Sequence, residues 1–103
     1  MTNKTKGPDA SSALYQAICK LETPEESYHF LCDLCTVSEL KAMEQRFQVA
    51  GLLAGGHIYT DIAERTGASS ATISRVNRCL QYGEDGYRTV LARMDPAEEA
   101  EQP

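Results

Sequence analysis

The chain has 103 residues and a formal net charge of -5, with 42% hydrophobic and 24% charged residues. That length allows one domain with a modest core, and the composition excludes a low-complexity or collagen-like chain. No apolar run reaches the roughly 18–20 residues that span a bilayer. The opening MTNKTKGPDASS has no apolar signal core, so the expectation is a cytoplasmic protein with no membrane partner.

In chain order, residues 1–10 are polar and hold Gly7-Pro8, which predicts a disordered N-terminal arm. A first helix is predicted from about Ser11 to Leu21, with Leu14, Ile18 and Leu21 on one side. Thr23-Pro24-Glu25-Glu26 reads as a helix start, with Thr23 as N-cap, Pro24 at the first position and Glu26 closing a capping box. The helix after it carries Tyr28, Leu31, Cys32 and Cys35. Thr36-Val37-Ser38-Glu39 repeats that logic and opens the longest helix, to about Ala54, with Leu40, Met43, Phe47 and Ala50 as its stripe. Gly55-Gly56 ends it. Short helices follow over about 60–66, 70–81 and 87–94. About six short helices and no strand alternation predict an all-α fold. Residues 95–103 predict an acidic disordered tail, leaving 11–94 as the domain.

The charge is unevenly placed. Asp95, Glu98, Glu99 and Glu101 lie in the tail, and without them ten basic residues face eleven acidic ones. Net acidity therefore disfavours loose, charge-driven binding to nucleic acid but leaves specific binding open.

The segment 59–81 has the spacing of a helix-turn-helix. Ile62 and Ala63 are the inward pair of the first helix, and Gly67 supplies the turn residue tolerant of positive φ. Ala68, Ile73, Val76 and Leu80 are inward beyond it. Ser69 or Ser70 can cap the second helix, leaving N–H groups suited to a phosphate. The outward face then holds Ser70, Ala71, Ser74, Arg75 and Arg78, with Thr72 and Asn77 at its flanks. Short side chains let a helix lie deep in a major groove. Serine and threonine exchange hydrogen bonds with base edges there, alanine meets a thymine methyl, and arginine takes guanine bidentately or binds phosphate. The DNA-binding set is thus Ser69, Ser70, Ala71, Thr72, Ser74, Arg75 and Arg78, with double-stranded DNA as partner. The rival reading is a helical adaptor that binds a protein and no DNA.

GASSATISR, with Thr60–Thr66 before it, resembles the reading head of the Trp repressor superfamily. CDLCTVSELKAMEQRFQVAGLLAGG followed by GASSATISRVNRCLQYG resembles its YerC/YecD-type branch, and the likeness runs from about Leu14 to Met94. It implies an intertwined homodimer that regulates transcription, as a repressor, from a pseudo-palindromic operator. The two recognition helices of such a dimer enter major grooves about 34–36 Å apart. By position, Ser70, Ala71, Thr72 and Ser74 match the family's operator-facing residues.

The family's ligand pocket transfers badly. Arg46 and Arg75 match the arginines that flank its bound indole, and Thr36 matches another pocket residue. Val76, however, stands where the pocket has a glycine, and Cys79 stands where it has a serine. A valine side chain intrudes on the ring, and a thiol is a weak polar partner, which argues against tryptophan as co-repressor. Ion pairs with glutamates or phosphate contacts are the alternatives for Arg46 and Arg75.

His29, Cys32 and Cys35 invite a metal or redox reading, but one C-x-x-C lacks the second pair of a strong zinc signature. Without an export signal, disulfides among Cys19, Cys32, Cys35 and Cys79 are not expected, and Cys32 and Cys35 are expected as small buried core thiols. No cofactor or metal is therefore expected. Nor is an enzyme, since His29 and His57 show no carboxylate or nucleophile at helical spacing. Tyr28, Tyr59, Tyr82 and Tyr87 are expected to close helix contacts or a dimer interface.

Overall fold

The structure, a computed structural model, describes residues 9–94. Six helices follow one another: α1 (Ala13–Ile18), α2 (Pro24–Leu34), α3 (Val37–Ala54), α4 (Tyr59–Thr66), α5 (Ser70–Tyr82) and α6 (Gly86–Arg93). No strand occurs among the described residues, and no helix there is long and apolar enough to cross a membrane. The acidic tail and all but Asp9 and Ala10 of the expected arm lie outside the described residues.

The chain divides into two units at Val37–Ser38. In the first, the Asp9 carboxylate accepts the Ser11 N–H at 3.0 Å, which holds its carboxyl below the ordinary carboxylate range. Ser12 caps α1 by accepting the Leu14 N–H. The helix stops short of the expected Leu21 because its last bonds tighten to three-residue reach, from Lys20 N–H to the Ala17 carbonyl and from Leu21 N–H to the Ile18 carbonyl. Thr23 caps α2 as the sequence predicts, accepting the Glu26 N–H at 3.1 Å, with Pro24 in the first turn. Glu26 reaches back one residue further than expected and accepts the Glu22 N–H at 2.9 Å. None of residues 9–37 is buried, and Tyr15, Ile18, Tyr28, Leu34 and Val37 are exposed.

The second unit holds the core. Val49, Ala50, Ile62, Ala68, Ile73 and Val76 form one buried cluster, with Leu52, Leu53, Ala63 and Tyr87 packed against it. Leu80 and Leu91 are also buried, and no polar or charged side chain is, among the described residues. Each fully buried Val or Ile contributes about 1.5–3 kcal/mol relative to exposure, which makes α4 and α5 the elements this core depends on. α4 packs on α5, and α5 on α6.

The stripe expected on α3 is corrected in its first half. Met43 is exposed and Leu40 half-buried, whereas the unpredicted Val49 is fully buried beside Ala50. Apolar residues are spread around α3 rather than confined to one side, so periodicity alone could not orient it.

Gly83 closes α5 by giving its N–H to the Cys79 carbonyl at 2.8 Å, and a Cβ there would overlap that same carbonyl oxygen. Arg88 Nε, from α6, donates to the Leu80 carbonyl at 2.9 Å and satisfies a second orphan acceptor of the same helix end. Gly83→Ala should therefore lower stability by about 1–3 kcal/mol, the cost of forcing a methyl group into packed structure. A urea melt showing an unchanged midpoint would remove the steric reading.

Candidate nucleic-acid interface

α4, the turn and α5 are built by local chemistry. α4 ends at Gly67, whose φ of 74° is left-handed, with its N–H on the Ala63 carbonyl at 2.8 Å. Such a φ costs other residues about 1–2 kcal/mol, so glycine sits where the chain must reverse. The Thr66 hydroxyl donates to the Ile62 carbonyl at 2.8 Å and accepts the Ala68 N–H at 3.1 Å. Gln45 of α3 donates to the Thr66 carbonyl at 3.2 Å. The turn is thus tied to α4 and to α3 by side chains that the sequence reading did not single out. The signal for Thr66 was its place before the turn glycine; nothing local marked Gln45.

Thr66→Val keeps the shape and deletes the bridge. The N–H of the buried Ala68 then loses its acceptor, and stability should fall by about 1–3 kcal/mol. Thermal melts of this variant beside Thr66→Ser, which keeps the hydroxyl, separate the bond from the packing.

Ser69 caps α5. Its hydroxyl accepts the Thr72 N–H and donates to the Thr72 hydroxyl, both at 3.1 Å. Of the expected site residues, Ser69, Ser70, Ala71, Ser74, Arg75 and Arg78 are exposed and Thr72 is half-buried. Ile73, Val76 and Leu80 are buried behind them. One helix therefore carries a wholly apolar inner side and an outer side of short polar chains and two arginines. Arg75 and Arg78 make no hydrogen bond or ion pair with other described residues, so the ion-pair alternative for Arg75 is not the one realised. Arg46 is likewise unpaired there and half-buried on α3.

Arg65 differs. Its Nε donates to both carboxylate oxygens of Asp61 at 3.2 Å, so its charge is already matched. Asp61 also lies 3.8 Å from His57 Nε2, and the other ring nitrogen of His57 is 3.2 Å from the Leu52 carbonyl. A carboxylate at helical spacing from His57 therefore exists, contrary to expectation. Since the carbonyl can only accept, that ring nitrogen carries the proton. This fixes the ring against the end of α3.

Of the residues carried over from the family's ligand pocket, only Cys79 lines an open cleft of the second unit. Arg75 and Cys79 are one turn apart on α5, but that cleft of about 460 Å³ is lined by Cys79, Phe47, Glu84, Gly86, Tyr87 and Val90. Arg46 and Arg75 are not part of its wall. Thr36, exposed in the α2–α3 link, belongs to the first unit.

The burial expected of the C-x-x-C thiols is corrected too. Cys32 is exposed and Cys35 half-buried, and all four cysteines, with Cys19 and Cys79 also exposed, are reduced. α1 and α2 bury nothing among the described residues, so no core exists there to take them. No three His, Cys, Asp or Glu side chains among the described residues converge as metal ligands. Of the tyrosines, Tyr87 packs against Phe47 with ring centres 6.5 Å apart, whereas Tyr28, Tyr59 and Tyr82 are exposed.

Known proteins resemble this chain along most of its length. Residues 10–95 match the family described as Trp repressor protein. The chain is 44% identical over 96 residues to protein YerC of Bacillus subtilis, covering 93% of this chain and 91% of that one. Among solved structures, it superposes on a TrpR-like protein from Eubacterium eligens with a TM-score of 0.79 at 49% identity, covering 88% of this chain and 94% of the other. A Staphylococcus aureus protein described as a candidate Trp repressor gives a TM-score of 0.80 at 46% identity, with 91% and 94% covered.

Proposed function

This chain belongs to the Trp repressor protein family, and from that membership we propose that it is a cytoplasmic, sequence-specific DNA-binding regulator, a repressor and not an enzyme. Its domain spans residues 11–94, with the N-terminal arm and acidic tail outside it. It acts as a homodimer on a pseudo-palindromic site, with α5 entering the major groove. One observation carries the reading: α5 turns unpaired Arg75 and Arg78 and the short Ser70, Ala71 and Ser74 outward from a purely apolar anchor. Ser69 and Thr72 flank the helix start, where N–H groups meet phosphate.

The dimer is supported by the first unit, which exposes Tyr15, Ile18, Tyr28 and Leu34 and buries nothing of its own. Small helical units with that much open apolar surface are stabilised by association. Sedimentation should give twice the 11.3 kDa chain mass; a monomer at micromolar concentration would count against it.

The decisive experiment selects bound fragments from genomic DNA and measures their affinity by fluorescence anisotropy across salt. Specific fragments should bind with a log–log salt slope set by the phosphates neutralised. No binding at low salt would leave the adaptor reading instead. Tryptophan is not the co-repressor in this proposal, because Val76 fills the core and Cys79 replaces a polar partner. Calorimetry with tryptophan should show only heats of dilution, and saturable micromolar binding would reverse that statement.

A further inference from the structure

The C-x-x-C at the end of α2 is left unused by a DNA-reading function, and its thiols are open rather than buried. Cys32 is exposed in the last turn of α2, and Cys35 is the half-buried cap residue that follows it. Asp33 and Leu34, between them, are helical. Residues three apart on a helix hold their Cβ atoms about 5–6 Å apart, while a disulfide wants about 3.5–4.5 Å. A modest approach is therefore required, and Cys35 is the residue able to make it. It has left the helix, with φ -115° and ψ 154°, and only its N–H is tied back, to the Leu31 carbonyl at 2.8 Å. Its side chain can swing toward Cys32 while that bond persists.

We propose that Cys32 and Cys35 form a reversible dithiol–disulfide centre, a modification site that responds to low-molecular-weight disulfides. The exposed Cys32 is the point of attack and Cys35 the resolving thiol. The Cys32 thiolate attacks a small disulfide RSSR, forming a mixed disulfide and releasing RS⁻. The Cys35 thiol, losing its proton, then attacks the Cys32 sulfur and expels the second RS⁻. The pair is oxidised by two electrons, and RSSR is reduced to two thiols. Closure joins residues only three apart across the exit of α2, so it stiffens the two-residue link Cys35–Thr36 ahead of α3 without demanding refolding of the helix. The inference is independent of the DNA reading, but it requires Cys32 to stay open in the proposed homodimer, the form in which the full chain is tested.

The test uses the reduced full chain and glutathione disulfide, followed by alkylation, trypsin and mass mapping. Cys32 and Cys35 share the tryptic peptide from Leu21 to Lys41, whereas Cys19 and Cys79 fall on separate peptides. The expected product is that peptide lighter by two hydrogen atoms and unreactive to alkylation, restored by a dithiol reductant. Cys35→Ser should instead trap glutathione stably on Cys32. Persistent separate glutathione adducts on the wild-type peptide would overturn the proposal. So would cross-linked copies, or a Leu21–Lys41 peptide untouched while Cys19 and Cys79 react. Circular dichroism of the oxidised protein and of Cys35→Ser shows whether either has lost its helices.

Discussion

Ile73→Ala should destabilise the chain by about 2–5 kcal/mol, the range for deleting most of a large buried aliphatic side chain. Ile73 is wholly inaccessible and lies in the buried cluster that joins α3, α4 and α5. The cavity has little chance to collapse, because its neighbours Ile62, Val49 and Val76 are themselves fully buried. A small domain has only about 5–15 kcal/mol in total, so the variant sits close to unfolding. Urea denaturation followed by circular dichroism measures the loss. Ile58→Ala provides the contrast: Ile58 is 68% exposed, and substitution there should change stability by no more than about 0.5 kcal/mol. If the two variants melted alike, the core assignment would be wrong.

Arg75→Ala and Arg78→Ala should do the opposite, leaving the melt unchanged and weakening DNA binding. Neither guanidinium makes a hydrogen bond or ion pair with another described residue, so its removal leaves no polar partner unpaired. An arginine held bidentately on a guanine is worth about 1–3 kcal/mol, or about 5- to 150-fold in affinity. If Arg75 reads a base, Arg75→Ala loses affinity for the selected site more than for random DNA. If Arg78 meets phosphate, Arg78→Ala weakens both alike and lowers the salt slope by about one. Arg65→Ala is the internal control, since Asp61 already holds that charge. Wild-type affinity in both the Arg75 and Arg78 variants would sink the groove assignment.

The two predictions divide α5 into inner and outer residues, and this division was legible before any coordinates. Gly67 at positive φ, Ser69 as cap and the inward Ile73, Val76 and Leu80 are local features, written within a few residues of one another. The same holds for Thr23 and Pro24 at the start of α2. Where the reading missed, the deciding interaction was distant. Val49 owes its burial to what packs on α3, and α3 has no single apolar side to announce it. Gln45 meets the Thr66 carbonyl across 21 residues, a distance that helical periodicity does not encode. The thiols were placed in a core because cysteine favours burial, yet α1 and α2 supply no core among the described residues. His57 and Asp61 were four apart in plain view, but their pairing depends on how the chain enters α4 after Gly55-Gly56.

The separation of roles on α5 also bears on how such a protein diversifies. The outward positions 70, 71, 74, 75 and 78 are all exposed, so the core does not rest on them. If α5 reads DNA as proposed, duplicated copies can drift at those five positions and acquire new targets while folding as before. Specificity would then be an exchangeable inscription on one helix, written on a support that selection can leave alone.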